Sequence, residues 1–217
     1  MPDISLQRIC SRAEIQWQCV IARVSGLAQV AEMAILTISA SLSEDSRSRI
    51  LAQVAHGTVE ASGAEARWLD LREHALPFCD AGAAYGDPAV GEAKSMLEEA
   101  DGFIVATPVY NFSVNSALKN LLELTGAAWE DKVAGFLCAA GGTTSYMSVM
   151  GFANSLMLDF RTVIVPRFVY AGRSEFEGGR IVNPEIERRT GELALEVVHL
   201  AAALKKIRVE AENSNFA

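Results

Sequence analysis

Five short apolar runs, each followed by a stretch with helical spacing, organise this chain from Met33 onward. Residues 34–38, 66–71, 102–106, 132–139 and 162–170 read as strands. Residues 46–55, 89–99, 116–124 and 145–158 read as helices, and a last helix runs from Pro184, capped by Asn183, to about Lys206. The run "GFIVA" (102–106) is apolar throughout, as a strand covered on both faces must be. Strictly alternating strands and helices predict an α/β fold: a doubly wound, five-stranded parallel sheet with right-handed crossovers and helices on both faces. In such folds ligands bind beyond the carboxyl ends of the strands. The loops after the first, third and fourth strands are therefore the places to look for function.

A chain of 217 residues, half of them hydrophobic, supports one domain with a sizeable core. Residues 33–207 form that domain. Residues 1–32 read as an N-terminal extension, helical or poorly ordered, and one expectation is that translation starts at Met33. Residues 208–217 read as a polar tail. The formal net charge of -8 argues against nucleic acid as a partner, and no apolar run is long enough to span a bilayer. Cys10, Cys19, Cys79 and Cys138 form no C-x-x-C pair and read as reduced thiols of a cytoplasmic protein.

The first loop, "SASLSEDSRSR", carries Ser39, Ser41, Ser43, Ser46, Arg47 and Ser48 and leads into a helix. Unpaired N–H groups and a partial positive charge at a helix start, with serine hydroxyls beside them, make a phosphate cradle in chemical terms. Neither a Walker pattern nor G-x-G-x-x-G is present, and a serine-rich capped loop without a ligand accounts for the same residues. In the third loop, Thr107, Pro108, Val109, Tyr110 and Asn111 are expected to form a proline-stiffened turn with its polar atoms displayed. An ordinary turn ahead of a helix is the alternative. In the fourth, Ala140, Gly141 and Gly142 permit close backbone approach, or else a turn with positive φ.

Taken together, the three loops resemble those of the NAD(P)H-dependent FMN reductases, a family of flavodoxin-like proteins. The likeness runs from Ala34 to about Leu204. In the third loop Pro108, Tyr110, Asn111, Ser113, Leu118, Lys119 and Asn120 agree with the family pattern, while Val109 stands where many members have glutamate and Phe112 where glycine is common. In the first, Ser41 and Ser46 match. Ala40, Ser43 and Ser48 replace the usual glycine, arginine and asparagine.

The resemblance implies strand order 2-1-3-4-5, bound FMN and a hydride donor, NADPH or NADH. It implies a phosphate held by the first loop with help from Arg47 or Arg49, a flavin edge held by backbone groups of 107–111, and a pyrimidine side reached from 140–142. It also implies a small-molecule electron acceptor, a flavin or a quinone, and a homodimer or homotetramer. No catalytic side chain or metal is expected, because the cofactor carries the chemistry. A quinone, azo or nitro reductase, or a flavodoxin-like electron carrier, is the alternative. Met147, Met150 and Met157 are expected on a core or subunit face, and Trp17, Trp68 and Trp129 in packing.

Overall fold

Every residue of β1 (Ala34–Ser39) is buried, and the other strands are laid out on either side of it. The computed structural model describes residues 30–142 and 144–213. Strand β1 pairs in parallel with β2 (Glu65–Asp70) on one side and β3 (Gly102–Tyr110) on the other. Beyond β3 come β5 (Val133–Ala139) and the two-residue β6 (Val163–Ile164), so the path is β2-β1-β3-β5-β6. The short β4 (Ser113–Val114) pairs antiparallel with β3, and β7 (Val169–Ala171) pairs parallel with β5.

The period-2 alternation of these strands sorts the core into two layers. Ile35, Ile104, Val133 and Leu137 face helices α1 (Arg47–Ser62) and α5 (Pro184–Asn213). Leu36, Ile38, Phe103, Val105 and Phe136 face α2 (Pro88–Glu99), α3 (Ser116–Thr125) and α4 (Met150–Phe160). Trp129 is fully buried in the second layer and packs on Phe103, with ring centroids 4.8 Å apart. Trp68 is half-buried and meets His56 edge-on.

Three expectations need correction. The fifth strand is not continuous: Pro166 has no N–H and Arg167 takes φ 65°, so the ladder on β5 breaks between β6 and β7. The third strand does not stop at Ala106. It continues through Pro108 to Tyr110 and turns back as β4. Proline is tolerated there for a geometric reason. Successive residues of a parallel strand bond to opposite neighbours. Ala106 bonds towards the β1 side, where its carbonyl accepts from Ala40 N. Pro108 faces the same side, beyond the last β1 pair, Ser39 opposite Ala106, where the Ala40 carbonyl accepts from the Asn115 side chain instead of a strand N–H. Finally, α5 extends past Lys206 to Asn213, with Lys206 and Glu210 paired one turn apart.

Val30 precedes the expected domain start yet is buried in the first core layer. The remainder of the expected N-terminal extension, including Cys10, Trp17 and Cys19, lies outside the described residues, as does the tail from Ser214. The segment "EFEGGR" forms a hairpin, β8 (Phe176–Glu177) with β9 (Arg180–Ile181).

Gly135 sits in β5 directly under α5. A Cβ there would lie 2.8 Å from both Leu193 Cδ2 and Val197 Cγ2, so glycine sets how closely the helix approaches the sheet. Gly135→Ala is expected to lower stability by about 1–3 kcal/mol through overpacking, seen as a lower urea midpoint at unchanged slope. An unchanged midpoint would show that α5 moves away without cost.

Candidate functional site

At the carboxyl edge of the sheet, Ala40 leaves β1, Asn111 leaves the extended β3, and Ala140 leaves β5. Asn115 joins two of these exits. It stands at the N-cap position of α3 with extended φ and ψ, but its side chain makes no capping bond. Instead Nδ2 donates to the Ala40 carbonyl at 2.6 Å. Its Oδ1 lies 3.2 Å from the Thr107 hydroxyl, which is also 3.0 Å from the Pro108 carbonyl. Asn115 and Thr107 are both buried, so these bonds are made away from competing water and are costly to leave unmade.

The first loop is held from its other end by Arg49. Its Nε and Nη2 grip Asp70 at the end of β2, at 2.6 and 3.0 Å. Nη2 also donates to the Ser41 carbonyl at 3.1 Å and Nη1 to the Ser43 carbonyl at 2.9 Å. The hydrogen bond to Asp70 raises the Arg49 pKa further above its ordinary value. Arg49 is thus spent on holding the loop, which corrects its expected help with a phosphate.

The serines divide by burial. Ser39, Ser41, Ser46 and Ser48 are buried, and Ser43 is exposed. The Ser39 hydroxyl, which by strand alternation lies on the α1 and α5 side, has no hydrogen-bond partner. Ser46 caps α1 by accepting from Arg49 N at 3.1 Å and bonds to the Ser48 hydroxyl at 3.0 Å. Ser41 Oγ accepts from Ser43 N at 3.3 Å. What the loop can offer an anion is the first-turn backbone of α1, the Ser43 hydroxyl and Arg47. Glu44 and Asp45 are exposed nearby and oppose any anion there.

Arg47 Nη1 reaches the Ala140 carbonyl at 3.4 Å, so the first loop also touches the fourth. Gly141 and Gly142 have negative or extended φ, and a Cβ at either would meet nothing within 4 Å. They leave open space at the sheet edge. Tyr170 braces this loop from β7: its hydroxyl donates to the Gly142 carbonyl at 3.0 Å and bonds to Ser145 Oγ. Thr143 lies outside the described residues.

In the third loop Val109 is half-buried, while Tyr110 and Asn111 are exposed. Tyr110 lies opposite Ser113 in the hairpin. The alternation of the strand turns Val109 to the β5 side, where its N–H completes the last pair, Pro108 opposite Ala139, and its carbonyl lies beyond that pair. The Val109 carbonyl therefore faces the gap between the third and fourth loops. The proline-stiffened turn expected here is instead an extended strand through Tyr110, which uses most of its backbone groups in the sheet. Cys138 is fully buried just below this edge, and burial pushes its thiol up to about 12, which makes it inert packing rather than a redox group.

An open, mostly parallel α/β sheet with helices on both faces and three tethered loops at its carboxyl edge defines a flavodoxin-like fold. Comparison with known proteins carries this further. The family described as NADPH-dependent FMN reductase matches residues 33–175. An NAD(P)H-dependent FAD/FMN reductase of Geobacillus thermodenitrificans is 32% identical over 147 residues, 66% of this chain and 79% of that protein. An NAD(P)H:quinone oxidoreductase of Solanum tuberosum is 27% identical over 155 residues, again 66% and 79%. Among solved structures, the apo form of an NADH:FMN oxidoreductase shares the fold with a TM-score of 0.64 at 23% identity, covering 78% of this chain and 89% of that one. The chain belongs to the NADPH-dependent FMN reductase family, whose members are oxidoreductases. The electron-carrier alternative gains nothing from these relatives, which are named as reductases and oxidoreductases.

Asn115 and Tyr170 are the residues that sequence reading passes over. Replacing Asn115 by Ala strands the buried Ala40 carbonyl and is expected to cost about 1–3 kcal/mol. A thermal melt checks this, and an unchanged Tm would mean that the two loops hold their places without the amide.

Proposed function

We propose that this protein is an NAD(P)H-dependent flavin reductase whose FMN site is the tethered carboxyl edge, with free flavin or a quinone as acceptor. The observation that carries the reading is the Asn115 bond to Ala40, which holds the first and third loops at one fixed separation before any ligand arrives. FMN, when bound, accepts a hydride from reduced nicotinamide and passes electrons to an acceptor. The residues at this edge suit such a group. First-turn amides of α1, the Ser43 hydroxyl and Arg47 take the phosphate, with the helix dipole supplying part of the positive charge. Backbone groups from Thr107 to Asn111, those beyond the last β3–β5 pair above all, take the edge of the ring system. The open space at Ala140, Gly141 and Gly142 admits its pyrimidine side, where amides ease negative charge as it develops. Buried Ser39, Ser41, Ser46 and Ser48 shape the loop rather than touch the phosphate.

Reductases of this kind need a cytoplasmic supply of reduced nicotinamide, and the free Cys79 and Cys138 are in keeping with that compartment. Among the described residues no helix is long and apolar enough to cross a membrane. Exposed Met147, Met150, Met157 and Leu158 along and just before α4 support a homodimer or homotetramer through that face.

Titration of the purified full chain into FMN is expected to quench flavin fluorescence to saturation, and anaerobic NADPH or NADH then bleaches the bound flavin. Gly142→Val adds bulk where nothing stands within 4 Å, so its Tm stays that of the parent while FMN affinity falls by about tenfold or more. Saturable binding without bleaching by either nucleotide would leave an FMN protein that is not a reductase. Equal FMN affinity in the Gly142 variant would move the flavin away from the fourth loop.

A further inference from the structure

The turn between β3 and β4 consists of two residues, Asn111 and Phe112, with φ 49° and 61°. Two-residue hairpin turns with both central φ values positive strongly favour Asn-Gly. Asparagine tolerates the left-handed region; an aromatic side chain there is an outlier. Phe112 nevertheless occupies the glycine position, and its side chain gains no burial in exchange, since the residue is 60% exposed. It joins no aromatic pair among the described residues. Tyr110, just before the turn, is 55% exposed. The chain therefore accepts backbone strain in order to hold an aromatic ring in solvent, at the tip of the strand that forms one wall of the carboxyl-edge site. Strain that local packing does not explain is most often found where a side chain must be presented to a ligand.

We infer that Phe112 is a specificity-determining residue that receives a planar aromatic acceptor of the quinone class; the inference rests on the flavin-reductase reading above. A quinone is a flat ring with carbonyl oxygens at its rim. Phe112 and Tyr110 offer ring faces for offset or edge contact, and the exposed Asn111 amide between them donates to a carbonyl. The side chains take no part in electron transfer; they hold the acceptor at the mouth of the site. A compact inorganic oxidant without a ring makes no use of them.

The test compares the full-length parent with Phe112→Gly, which relieves the strain and removes the ring, and Phe112→Leu, which keeps the strain and removes only the ring. Each is assayed for FMN binding, for Tm without ligand, and for kcat/KM with menadione and with ferricyanide under the better nicotinamide donor. The menadione-to-ferricyanide ratio of kcat/KM is expected to fall about fivefold in both variants. The Tm is expected to rise by about 2–4 °C in the glycine variant alone. An unchanged ratio in variants that still bind FMN overturns the assignment and leaves the reductase reading intact. A Tm that does not rise in the glycine variant removes the strain on which the inference stands. FMN lost from the variants but not the parent overturns it too, because the ring then serves the cofactor. Parent protein that binds no FMN removes the flavin reading and this inference with it.

Discussion

The hydrogen bond from Asn115 Nδ2 to the Ala40 carbonyl, 2.6 Å long and buried, decides how the functional edge is built. Strands β1 and β3 are neighbours only as far as Ser39 and Ala106. Beyond that pair nothing in the ladder holds the two exits together. Asn115 reaches back from the start of α3 to close the gap, and the Thr107 hydroxyl steadies its other end. The cost is a helix start without its side-chain cap, a change of about 1 kcal/mol when an asparagine cap is lost. A buried carbonyl left unpaired costs at least as much, so the diversion is stabilising on balance and also fixes geometry.

The same economy of side chains shapes the phosphate side. Arg49 joins β2 to the first loop through Asp70 and leaves little capacity for a ligand. Four of the five serines are buried, so their hydroxyls define the backbone path. An anion must then be met chiefly by amides, with Ser43 and Arg47 as the polar side chains at hand. On the proposed reading the loop dispenses with the arginine common in the family, because backbone direction and the dipole of α1, which do not depend on one side chain, would make the cradle.

Much of this was legible in the sequence, and the failures have physical causes. Apolar runs at β1, β3 and β5 announced a covered sheet because both faces of each strand are buried. Asn183-Pro184 announced the start of α5. Pro108 misled, because proline usually ends a strand, and only the register shows that its missing N–H faces a side where β1 has ended. Pro166 misled in the opposite sense: the apolar residues around it suggested one strand, but Arg167 at positive φ splits the pairing. Asn115 was invisible because an asparagine before "SALK" reads as an ordinary cap. Nothing local reveals that its amide is used across 75 residues of chain. The serines were visible as a group, while which of them turn inward depends on the packing of α1. Phe112 stood out as a departure from the family's glycine, but its meaning depends on a backbone angle that composition does not show.

A crystal structure of the full chain grown with FMN tests the central claim most directly. The phosphate is expected against the first turn of α1 beside Ser43 and Arg47, and the ring edge along Thr107 to Asn111, with the Asn115 bond to Ala40 unchanged. FMN lodged elsewhere, or bound here only after the Asn115 bond has broken, would contradict it.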